Sequence, residues 1–302
     1  MISAAVNAAS PLPHLGLLRF TGADALSFLQ GQVSNDTRGL SAGNPLLAAY
    51  STPQGRVLAL IYLLPHSSGV IAILPRELLQ PTLERMRKFI LRAKVQIADA
   101  GESLVLAGHF GGLAHSGSGY AEQSGIGVAP VGHDGKRHWV LAAPGTELVT
   151  DAGAEKAWRL ADIRAGLPQI YAATSEAFVA QMLNLDVLDG ISFTKGCYTG
   201  QEIIARAQHL GRIKRRLFRL LLPAGTWRIG QALYLSNGRQ GRIVDAIESE
   251  GRSEALAVLN VEANEAAAAA ATGAAATGAA ATAAAADNPV TADELPLPYK
   301  LS

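Results

Sequence analysis

The chain is almost without cysteine: its 302 residues hold a single thiol, Cys197. One thiol cannot close an internal disulfide, and it cannot supply a multi-cysteine metal cage. Neither sign of charge is in excess. Lys plus Arg total 26 against 25 Asp plus Glu, a formal net charge of +1, so there is no global electrostatic case for nucleic-acid binding. No apolar run reaches the ~18 residues of a membrane span, and Val57 to Leu64 is long enough only for a buried strand. Met1 to Pro13 lacks the charged start and apolar core of a secretory signal. With one free thiol, this points to a reducing, cytoplasmic setting and no membrane partner. His109, His115, His133 and His138 have no His-x-x-x-His spacing and no neighbouring cysteine, so no metal site is expected.

What the chain does have is an unusual setting for that thiol: Lys195-Gly196-Cys197-Tyr198-Thr199-Gly200-Gln201-Glu202. A lone cysteine is most often a small buried hydrophobe. Polar and glycine-rich flanks favour a presented sulfur instead, because only the thiolate is a good nucleophile and nearby positive charge promotes it. Lys195 is two residues from Cys197, and in an extended segment residues i and i+2 point the same way. The run from Gly200 to Gln208 reads as a short helix, with Thr199 as cap and Glu202 completing a capping box. Its positive end would stand just past the thiol. Gly196 and Gly200 allow sharp bends and close approach by a ligand. On this reading Cys197 and Lys195 are the reactive pair and Tyr198, Thr199, Gly200, Gln201 and Glu202 frame them.

The octapeptide resembles the signature of the YgfZ family, folate-binding proteins related to the T-protein (aminomethyltransferase) of the glycine cleavage system. Further stretches are similar to the same family: Gly22 to Asp36, Pro53-Gln54-Gly55-Arg56-Val57, Asp162 to Pro168, Gln181 to Asp186 and Leu297-Pro298-Tyr299. The likeness spans about residues 15 to 216. It implies a pocket for tetrahydrofolate or a derivative, and iron–sulfur proteins as partners, including enzymes that modify tRNA. It also implies cofactor-binding roles for Gln30, Asn35 and Asp36, and for Trp158 as a ring to stack on the pterin, although alone Trp158 reads as core. Two departures stand out. The aspartate pair of T-proteins falls on Ala59 and Leu60, and the pterin-binding glutamate falls on Arg164, which could instead hold a carboxylate of a polyglutamyl tail. A folate-dependent aminomethyl or methyl transferase is therefore the second reading. A non-catalytic scaffold for iron–sulfur proteins or tRNA is the third.

The predicted fold is α+β: two ferredoxin-like units forming a T-protein-like folate-binding body, plus a small C-terminal antiparallel β-barrel. Residues 14–101 read strand–helix–strand–strand–helix–strand. Their second helix is expected from Pro75 to about Lys94, with Leu78, Leu79, Leu83, Met86, Phe89 and Ile90 buried and Pro81 marking the first turn. Residues 1–13 look like a loose arm. Residues 102–211 form the second unit and carry the cysteine motif. Residues 212–302 are strand-rich, with a hairpin at Asn237-Gly238. The alanine-rich stretch 266–286 reads as an inserted loop. The basic run Arg212, Lys214, Arg215, Arg216 and Arg219 could meet RNA phosphates or a folate tail; the plainer reading is a solvated strand edge.

Overall fold

The computed structural model describes residues 7–41, 43–112, 119–132, 135–210, 213–262 and 289–301. In chain order its elements are β1 (Ser10–Pro11), β2 (Leu15–Thr21), α1 (Ala25–Gln32), α2 (Arg38–Ser41), β3 (Leu46–Ser51), β4 (Val57–His66) and β5 (Gly69–Pro75). They continue as α3 (Arg76–Arg87), β6 (Gln96–Asp99), β7 (Val105–Phe110), β8 (Ala121–Gln123), β9 (Ile126–Pro130), β10 (Arg137–Ala142) and α4 (Ala154–Arg164). The last are α5 (Gln201–Leu210), β11 (Arg215–Leu222), β12 (Ala232–Tyr234), β13 (Gln240–Ser249), β14 (Arg252–Asn260) and β15 (Asp293–Leu295). The strands form three antiparallel five-stranded sheets, and helices are few. No helix among the described residues is long and apolar enough to cross a membrane.

The first sheet has the order β3-β4-β5-β2-β6, with Leu18 paired to Ala72 on one side and Asp99 on the other. Its α3 packs on β2, β4, β5 and β6 through Leu78, Leu79, Leu83 and Met86. The other side meets the second sheet, where the Tyr62 ring stands edge-on to Trp139 at 4.5 Å between centroids. Burial on both faces explains the unbroken apolar run of β4. Helix α3 begins at Arg76, with Pro81 inside it, and stops at Arg87, seven residues before the expected end. The chain must turn there, because β6 has to return to pair Gln96 with Thr21. Phe89 consequently leaves the expected buried stripe and is 44% exposed.

The second sheet has the order β1-β7-β10-β9-β8. The N-terminal arm is not loose over its described part. Ser10 and Pro11 pair with Gly108 and Ala107, and Ala9 and Leu12 are buried. On the face that carries Trp139, α4 packs Trp158 closely against Gly108. The third sheet, β12-β13-β14-β11-β15, is open among the described residues and does not close into the expected barrel. The Asn237-Gly238 hairpin joins β12 to β13. A register shift in β13 between Ile243 and Asp245 turns a carboxylate inward, toward α4. The alanine-rich stretch 266–286 lies outside the described residues.

A Cβ added at Gly108 would sit 2.4 Å from Cε3 and Cζ3 of Trp158. Gly108→Ala is therefore expected to destabilise the chain by about 2 kcal/mol through overpacking. A urea midpoint unchanged from the parent would rule out the tight seating of this indole.

Candidate functional site

The cysteine loop is held by its lysine. Helix α1 carries no basic residue in its last turn, so its final carbonyls need a donor from elsewhere. Lys195 supplies it: the ammonium donates to the carbonyl oxygens of Gln30, Val33 and Asn35, each at 2.7 Å. The next open carbonyl, Gly31 O, accepts the Thr199 N–H at 3.3 Å. Lys195 is buried, with its Nζ 4.9 Å from the centroid of the Tyr198 ring. Burial lowers its pKa to about 8, with Asp36 opposing, so the ammonium form persists at neutral pH. All three donors of the Lys195 ammonium thus end on backbone carbonyls.

Cys197 itself is exposed, and a Cβ at the neighbouring Gly196 would meet nothing within 4 Å. The space beside the sulfur is open. Beyond it the chain closes tightly. Gly200 has φ +84°, and a Cβ there would fall 2.6 Å from Thr52 O. Gly55, from the Pro53–Val57 stretch, packs equally closely on Ile203. Helix α5 then starts at Gln201, whose N–H goes to Tyr198 O; Gln181 Nε2 reaches Ile204 O at 2.6 Å, and Glu202 is exposed. The end of α1, the Thr52–Val57 stretch and Gln181 thus converge on the cysteine loop and the start of α5.

The remaining expected site residues fall into two groups. Gln30, Asn35 and Asp36 are brought to Lys195, but their side chains are committed to the turn after α1 and its neighbours. Gln30 Oε1 accepts from Thr37, and Asn35 Nδ2 donates to Leu47 O and Asp189 O. Arg38 holds the Asp36 carboxyl well below the usual carboxylate range. Trp158 and Arg164 lie elsewhere. Trp158 is 1% exposed, with Arg137 over its ring at 4.9 Å and Phe110 edge-on at 5.5 Å, so neither face is open for stacking. Arg164 donates twice to Glu254 Oε1, and Arg219 takes the other oxygen. Within the basic run, Arg216 is buried and bidentate to Asp186, at 2.6 and 2.9 Å, in a strand internal to its sheet, while Lys214 and Arg215 are exposed. A cleft of about 660 Å³ opens at the far end of α5 from the thiol, lined by this pair and by Arg239 and Glu294. Among the described residues no group of three His, Cys, Asp or Glu is placed to hold a metal.

A second polar place, which the sequence reading missed, lies where the three sheets meet. Arg137 of β10 donates to Asp162 of α4 at 2.7 Å. Beside them lie Tyr62 of β4 and Trp139, and Tyr299 of the closing stretch donates to Gly166 O at 2.7 Å. Arg137 Nη2 and Trp139 Nε1 are buried there without a hydrogen-bond partner. Burial pushes the Asp162 carboxyl up to about 6 against the pull of Arg137. Unmatched donors next to a carboxyl and two aromatic rings fit a flat heterocycle with alternating donors and acceptors. The i, i+2 spacing of Arg137 and Trp139 on one strand face was the available signal.

No protein-family profile matches the chain. Curated proteins do. It is 34% identical over 282 residues to the tRNA-modifying protein YgfZ of Yersinia pseudotuberculosis serotype O:1b, covering 82% of this chain and 83% of the relative. The chain belongs to the YgfZ family. The YgfZ protein of Colwellia psychrerythraea is 30% identical over 68% of this chain and 69% of its own. Among solved structures, the glycine cleavage system aminomethyltransferase T from Bartonella henselae matches 86% of this chain and 81% of its own, with a TM-score of 0.60 and 13% identity. This YgfZ-family chain therefore has the T-protein-like fold. Ala59 and Leu60, where the resemblance set the T-protein aspartates, are fully buried in β4.

Two outcomes follow for this YgfZ-family site. Lys195→Met leaves three carbonyls without their donor and is expected to cost about 3 kcal/mol in chemical denaturation. Parental stability would show that the ammonium does not hold the loop. For Asp162, whose pKa rises from 3.8 unfolded to about 6 folded, the native state binds the extra proton. The Asp162 contribution to stability should be fullest below about pH 4 and be lost as pH rises through about 6. Asp162→Asn should flatten that slope in a pH series of urea melts, and a slope left intact would assign it to another group.

Proposed function

We propose that this chain is a folate-binding YgfZ-family protein that supports the assembly or repair of iron–sulfur enzymes, including tRNA-modifying enzymes, through Cys197 in a reducing cytosol. The observation that carries this reading is the exposed thiol on a loop locked in place by Lys195. An inert structural cysteine needs neither exposure nor a braced backbone.

The folate pocket is assigned to the junction of the three sheets. Asp162 would accept from the pteridine, the open donors of Arg137 and Trp139 would meet its acceptors, and Tyr62 would pack on the ring. When bound, a tetrahydrofolate supplies a carrier for one-carbon units. The chain's own part is to orient that group, exclude water from it and present Cys197 to the client. Arg164 would reach a glutamyl tail only by giving up Glu254. The transferase alternative is disfavoured by the buried Ala59 and Leu60, which offer no acid or base.

Cys197→Ala should fail to restore iron–sulfur enzyme activity in a strain lacking the protein, while its melting curve and folate binding stay parental. Tetrahydrofolate should quench the tryptophan fluorescence, and Asp162→Asn should weaken that binding at least about tenfold, the loss of one charged hydrogen bond. Full complementation by Cys197→Ala would refute the thiol's role. Unchanged folate affinity in Asp162→Asn would move the pocket elsewhere.

A further inference from the structure

The turn between α3 and β6 concentrates one sign of charge on a chain that is otherwise balanced. Between Glu84 and Asp99 there is no acidic residue, and Arg87, Lys88, Arg92 and Lys94 are all exposed. Two large apolar side chains stand among them: Phe89 is 44% exposed and Leu91 88%, the most exposed large hydrophobic among the described residues. The turn is built rather than frayed. Lys94 N–H donates to the Asp24 carboxylate at 2.6 Å, and Asp24 N–H returns to Lys94 O at 3.2 Å. Arg87 Nη2 donates to Ile97 O at 2.8 Å. Gly22 permits this contact, since a Cβ there would lie 2.2 Å from Lys94 O.

Asp24 is also the N-cap residue of α1, whose other end is held by Lys195. Eight helical residues span about 12 Å. The basic turn and the cysteine loop therefore hang from opposite ends of one short helix, within reach of a single large ligand. We propose that the exposed turn 87–94 is a surface for RNA, with phosphates against its four cations and an unpaired base on Phe89. This rests on the reading that tRNA modification is the process served, and goes beyond it by assigning a contact surface. In the described part of the basic run, Arg216 and Arg219 are tied to Asp186 and Glu254, which leaves two exposed cations, Lys214 and Arg215, against four in the turn. An anionic membrane fits less well. The apolar face of α3 is buried on its sheet, so only Phe89 and Leu91 remain to insert. Cations plus an exposed ring match what single-stranded RNA offers.

The test is fluorescence anisotropy of the full chain with a fluorescein-labelled, unmodified tRNA transcript, between about 50 and about 200 mM salt. Four phosphate contacts predict a slope of log affinity on log salt of roughly −2.8. The double variant Lys88→Glu/Arg92→Glu should bind at least about tenfold more weakly, with a slope shallower by roughly 1.4. Phe89→Ala should lose about fivefold or more. Lys214→Glu should change nothing. If the double charge reversal shifts the urea midpoint, Lys88→Ala/Arg92→Ala replaces it. No saturable RNA binding by the parent, or binding indifferent to these changes, overturns the proposal. So does binding to vesicles containing phosphatidylglycerol with none to RNA. Failure here, with Cys197→Ala still unable to complement, leaves the proposed function standing and removes only this surface.

Discussion

An ammonium group placed among three backbone carbonyls is the constraint around which this site is arranged. Lys195 satisfies the end of α1 from 160 residues or more away in sequence. That closure decides where the cysteine loop lies, and Gly200 then brings the start of α5 against Thr52 and Gly55. A charged donor to several carbonyls is worth more than a neutral one, and leaving those carbonyls empty is costly. The loop is therefore stiff while its sulfur is exposed. Rigid backbone with an accessible nucleophile is how a reactive group is positioned without being buried.

The arginines show a second economy. Arg137, Arg159, Arg164, Arg216, Arg219 and Arg239 each meet a carboxylate, most of them joining parts of the chain distant in sequence. Helix α4 is the hub, bound to the second sheet through Asp162 and to the third through Arg159 and Arg164. Burial pushes the Asp245 carboxyl up, with Arg159 opposing, and raises Tyr171 beside it. Such pairs contribute little net stability but penalise any other arrangement of the sheets. With so much positive charge engaged internally, an exposed cationic turn is set apart by contrast.

The chain has a T-protein-like fold, and Ala59 and Leu60 are sealed in its β4. Function on a shared fold is carried by the site, and here the presented thiol and the polar junction are the features that differ from aliphatic packing.

Much of this was legible in the order of residues. The cysteine octapeptide, the strand-rich C-terminal region, the hairpin at Asn237-Gly238 and the apolar stripe of α3 up to Met86 follow from local periodicity and turn chemistry. Partnership was not legible. Lys195 donates to backbone carbonyls, Trp158 is enclosed by Arg137 and Phe110, and Arg164 is bound to Glu254, because each depends on segments brought together only by the sheets. Phe89 left its stripe because β6 had to return to β2. Sequence alone marked the cysteine octapeptide and most of the elements, since both rest on short-range pattern. The tertiary structure decided which charges are spent and which remain exposed, since pairing across distant segments has no local signature.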